Sequence, residues 1–208
     1  MTKQENLSEA KKKFFYFYGS HFHMWHEGEI DKYQNYNISK EQEKEWLKEI
    51  FNNDFEKLDI HNNFTIISFA HWIEHHSAID YLPKFLNFIE IKIDEVSNQY
   101  DMLMYGQTVF NIVYELSRQK TKKFSKKLRI KCIYLAEKIN EIAKNMQLIE
   151  SVNIDEIVLD GLTPQVYILR KITELEVKID IAKINLRKSI KSELFRQNRT
   201  SSACKKTL

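Results

Sequence analysis

Glycine and proline are scarce, with four and two in 208 residues. A β-sandwich, a barrel or a glycine-looped α/β enzyme needs a turn residue roughly every ten positions, so this scarcity argues against all three. There are two cysteines, Cys132 and Cys204, too few for a disulfide framework, and the expected compartment is a reducing cytoplasm. No apolar run approaches the ~20 residues of a membrane span, and the polar opening MTKQENLSEAKKK does not read as a secretory signal. No membrane partner is expected. Glycine-rich phosphate loops, a nucleophile elbow and cysteine–histidine zinc spacing are all missing, so neither a cofactor nor a catalytic residue is expected. What remains is 43% hydrophobic and 29% charged residues, enough to build a core in a chain the length of one domain or two small ones.

Charge is unevenly spread. Residues 1–100 carry 11 Lys and no Arg against 17 Asp and Glu, a net of −6, whereas residues 101–208 carry 21 Lys and Arg against 12 acids, a net of +9. All seven histidines fall between His21 and His76. Such a dipole steers charged partners to one end of a molecule and says nothing about chemistry.

The periodicity is helical almost throughout. Ser8 reads as the cap of a helix ending at Gly19, Ser39 with Gln42 as a capping box ahead of Trp46, Leu47, Ile50 and Phe51, and Asn62 or Asn63 as the next start. Pro83 suits an early helical position, Ser125 opens a helix to about Asn145, and Gly106 reads as a close-approach site. Ile154 to Leu159 is the one stretch where a strand is an open alternative. Thr163-Pro164 starts a final helix with no breaker until after Gln197. The expected fold is therefore all-α, with antiparallel helix pairs in an α-solenoid or irregular bundle. It forms one domain over 1–197, with a long terminal helix over 163–197 and a disordered basic tail over 198–208.

The block Tyr18-Gly19-Ser20-His21-Phe22-His23-Met24, then Tyr33 to Ile38, then Glu41 to Glu49 around Trp46, resembles small bacterial HEAT-like helical proteins. The resemblance covers about the first hundred residues and rests on aromatic packing positions. It implies a HEAT-like fold and, by analogy, an immunity or partner-binding role beside toxins or defence genes.

Three constellations carry possible chemistry. His71-Trp72-Ile73-Glu74-His75 spells the inverted zinc-protease signature, with two imidazoles one helical turn apart, Glu74 as a base and Glu150 as a conceivable third ligand. A metal-dependent hydrolase centred on His71, Glu74 and His75 is the enzymatic alternative, although no strand-rich scaffold accompanies it. His21, His23 and His26 form a second cluster that could join the first in a transition-metal site, but the favoured reading is an aromatic loop plugging the gap between the first helices. Lys122, Lys123, Lys126, Lys127 and Arg129, within the run 120–131, could meet phosphates, so a nucleic-acid-binding accessory protein is a further alternative. Only Phe124 interleaves that run, and a solvated loop explains it more simply.

Ile168, Ile172, Leu175, Ile179, Ala182 and Leu186 follow the 4-3-4-3-4 spacing of a coiled-coil seam, and Val177, Ile181 and Ile184 add a second apolar line. The helix is either an internal spine or a projecting element for self-association. The leading expectation is a non-enzymatic protein that binds another protein, such as a basic nuclease toxin or a complex subunit. Its acidic first half would supply Glu27, Glu29, Glu41 and Glu45, with Trp25, Tyr33, Tyr36 and Trp46 as aromatic anchors.

Overall fold

The computed structural model describes residues 3–76, 78–118, 124–146 and 163–204. Every regular element among them is helical, and none of the helices is long and apolar enough to cross a membrane. The stretch Ile154 to Leu159 lies outside the described residues. Where the sequence reads as one domain over 1–197, the chain divides into two compact units, Met1–Leu58 and Asp59–Leu208.

The first unit contains α1 (Lys3–Tyr16), α2 (His21–His26), α3 (Ile30–Gln34) and α4 (Lys40–Glu56). Ser8 lies inside α1 and does not cap it. The helix starts earlier, with Glu5 in its first turn, where a carboxylate suits the positive end of the helix dipole. Its end is set by Tyr18 and Gly19, both left-handed at φ 50° and 69°, as the Gly19 N–H returns to the Phe14 carbonyl oxygen at 2.8 Å. A Cβ on Gly19 would lie 2.8 Å from both Leu47 Cδ2 and Phe14 Cζ. Phe14 is the centre of this unit's core, with its ring 5.5 Å from Trp46 and 6.0 Å from Tyr33. Ser39 Oγ accepts from the Gln42 N–H at 3.2 Å to begin α4, and Lys11 pairs with Glu49 across α1 and α4 at 2.7 Å.

The second unit contains α5 (Asn63–His75), α6 (Leu82–Lys92), α7 (Gln99–Arg118), α8 (Lys126–Asn145) and α9 (Pro164–Cys204), with 3₁₀ turns at Ile79–Tyr81 and Ile93–Glu95. Asn62 and Ser125 cap α5 and α8 through their side chains, and Pro83 sits in the first turn of α6. The helix α7 packs against α5, α8 and α9. Gly106 is where three helices converge. A Cβ there would come 3.2 Å from Leu175 Cδ2 on α9 and 3.3 Å from Ile139 Cγ2 on α8.

The terminal helix packs as a spine within this unit. Ile168, Ile172, Leu175 and Ile179, the first four seam residues, are buried, and Lys144 on α8 pairs with Glu176 at 2.5 Å. Beyond residue 197, where the sequence predicts a disordered tail, the backbone stays helical to Cys204. Neither glycine nor proline occurs between 165 and 204 to stop it. Residues 205–208 lie outside the described residues.

Candidate functional site

Ser20 starts α2, its hydroxyl oxygen accepting from the His23 N–H at 3.2 Å. At 100° per residue, that helical register puts Phe22 and His26 opposite Met24 and swings Trp25 well round from it. Met24 is accordingly fully buried, whereas Phe22 and Trp25 are 61% and 62% exposed with ring centroids 6.3 Å apart. The expected aromatic plug is thus corrected: the segment is a helix and not a loop, and it inserts one methionine while turning its aromatic rings outward. Read as a plugging loop, the segment has no helical register to separate Phe22 from Met24, and for that reason sequence reasoning missed Phe22 as a surface residue. The cap at Ser20, three residues before His23, was the available signal.

The four expected anchors separate. Tyr33 and Trp46 belong to the core, Tyr36 is half-buried, and Trp25 alone is well exposed. Core packing also recruits Glu43, which accepts the Tyr33 phenolic hydrogen at 2.8 Å and lies 3.0 Å from His21 Nε2. Burial, then the Glu43 carboxylate, raises the Tyr33 hydroxyl above its ordinary pKa.

The acidic stretch is partly consumed too. Glu29 pairs with Lys13, whose ammonium holds the carboxyl below its ordinary range, and Glu45 pairs with Lys48 at 2.7 Å. Glu27 and Glu41 are exposed and make no ion pair among the described residues. Glu27 and Glu29 also line a hollow of about 550 Å³ with Glu9, Lys12, Lys13, Tyr16, Phe17 and Lys32, so its three acids face three lysines. The first unit as a whole carries 9 Lys against 11 Asp and Glu, a net of −2. Much of the negative charge of residues 1–100 therefore belongs to the second unit.

At the zinc-like motif, His71 and His75 stack with ring centroids 6.2 Å apart, and Glu74 Oε2 lies 3.9 Å from His71 Nδ1. Burial, reinforced by the Glu115 carboxylate, pushes the Glu74 carboxyl up to about 7. Among the described residues no three His, Cys, Asp or Glu side chains are grouped to hold a metal ion. Glu150 lies outside those residues.

The basic run is dispersed as far as it is described. Lys122 and Lys123 lie outside the described residues, Lys126 and Lys127 sit in the first turn of α8, and Lys131 pairs with Glu90 at 3.0 Å. The Arg129 guanidinium lies 5.4 Å from the ring centroid of Phe124, which is buried and so offers no stacking platform to a base. The second apolar line of α9 faces outward, with Val177, Ile181 and Ile184 about half exposed.

No family model, curated protein or solved structure matches the chain.

Proposed function

We propose that this chain is a non-enzymatic, cytoplasmic protein-binding component, of the immunity type or a subunit that holds a cognate partner. In this reading its helices pair antiparallel in a HEAT-like solenoid. The partner is a basic protein such as a nuclease toxin. The observation that carries the reading is the outward display of Phe22 and Trp25 on α2, beside the carboxylate of Glu27, which makes no ion pair among the described residues. Burial of large aromatic rings dominates interface energetics, and an exposed aromatic pair on a capped helix is a ready anchor. Charge at Glu27 and Glu41 would raise the association rate and fix specificity more than it would add affinity. The coiled-coil spacing of α9 serves the internal spine in this reading.

A photo-crosslinking residue placed at His26, expressed in the native host, tests the proposal. The expected result is one dominant adduct with a basic protein, lost in a Phe22→Ser/Trp25→Ser variant and absent when the same probe replaces Tyr134 in the second unit. No adduct, together with turnover of a substrate by the purified chain alone, would overturn it.

A further inference from the structure

The second unit carries a surface feature of a different kind. Two contiguous hollows, of about 570 and 390 Å³, run between α7 and α9 and reach the start of α8, sharing Phe110, Tyr114, Ala182 and Asn185. Their walls are largely apolar, and Tyr114 and Ile181 stand 58% and 54% exposed along them. The charged groups among the described lining residues are Lys178 at one hollow and Arg129 at the other, and no Asp or Glu among them lines either. Among the described residues neither cation makes an ion pair, and Arg129 Nε is buried with no hydrogen-bond partner. Arg129 lines the hollow as a guanidinium, the cation whose planar fork of donors pairs best with a carboxylate.

We infer that this groove docks an acidic amphipathic helix of a protein partner, with apolar side chains against Phe110 and Ile181 and carboxylates at Arg129 and Lys178. The helix-in-groove mode needs apolar anchors at i, i+3 or i+4, and i+7, and a groove that offers cations without acids selects acidic flanks. This surface belongs to the second unit, whereas α2 belongs to the first, and it calls for a partner of the opposite charge. It therefore stands whether or not a basic partner binds the first unit.

A displayed library of amphipathic helices with fixed apolar anchors, its flanks randomised among Glu, Gln and Lys, tests the inference on the full-length chain. Glu-flanked sequences should be recovered. Their affinity should fall about tenfold or more in Ile181→Asp and, independently, in Tyr114→Glu. Arg129→Gln should erase the preference for Glu over Gln while leaving the far-ultraviolet circular dichroism unchanged. Recovery of nothing, recovery of Lys-flanked sequences, or binding indifferent to Ile181→Asp would each overturn it. So would a concentration-dependent dimer dissolved by Ile181→Asp, which would make the occupant a second copy.

Discussion

Asn140 on α8 donates through Nδ2 to the carbonyl oxygen of Ile172 on α9 at 3.2 Å, inside a core where Asn140 is 2% exposed. Its Oδ1 is buried and has no hydrogen-bond partner among the described residues, so the side chain is half satisfied. Asn140→Ala should cost about 1–2 kcal/mol, the net worth of a buried hydrogen bond plus a small void. Asn140→Asp should cost more at pH 7, because a carboxylate cannot donate and would be a buried, unpaired charge. Lowering the pH should narrow the gap as the carboxyl regains its proton. Urea unfolding of the three chains at pH 7 and pH 4.5 measures this, and equal costs at both pH values would refute the assignment.

Gly19 and Gly28 form a matched pair. Both sit at φ 69°, yet a Cβ on Gly19 meets Leu47 and Phe14 at 2.8 Å while one on Gly28 meets nothing within 4 Å. Gly28→Ala should therefore cost only the left-handed strain, about 1 kcal/mol. Gly19→Ala adds overpacking and should cost roughly 3 kcal/mol. Urea unfolding of the two variants, followed by tryptophan fluorescence, separates the two.

Glu74 gives the folded chain a pH dependence. Its carboxyl lies at about 7 against an ordinary 4.5, because burial disfavours the charged form and Glu115 adds to the effect. The folded state thus holds this proton more tightly than the unfolded one. The contribution is complete below the ordinary value and is lost as pH rises through about 7. Glu74→Gln, permanently neutral, should raise the thermal midpoint at pH 8 and leave it nearly unchanged at pH 4. A variant whose midpoint tracks the wild type at both pH values would exclude a buried, protonated Glu74.

Cys132 is fully buried, and its thiol is pushed up to about 12 by that burial. The thiolate is the reactive form. In a Cys204→Ser background, alkylation at pH 8 should therefore proceed only as fast as the fold opens, and should accelerate in step with unfolding as urea is added. Prompt labelling of the native chain would contradict this packing.

Capping and breaking were local matters, and there the sequence was sufficient. Ser39, Asn62, Ser125 and Thr163-Pro164 mark true helix starts because a hydroxyl or amide oxygen reaches backbone N–H groups only two or three residues away, and Gly106 marks a true close approach. The scarcity of glycine and proline likewise pointed away from a sheet-built fold, and every regular element among the described residues is helical. Which of several apolar or aromatic side chains turns inward was a different kind of question. Tyr33 and Trp46 went to the core, Phe22 and Trp25 to the surface, and the seam of α9 inward while Ile181 and Ile184 stayed out. Composition is the same on both sides of each of those divisions. Only the tertiary structure decided them, because burial depends on neighbours distant in sequence: Phe14 for Trp46, and Gly106 for Leu175. The same holds for charge, where Glu29, Glu45 and Glu49 were committed to Lys13, Lys48 and Lys11, and Glu27 and Glu41 were left without an ion pair among the described residues. An acidic stretch counts charges, but the fold determines which of them still face a partner.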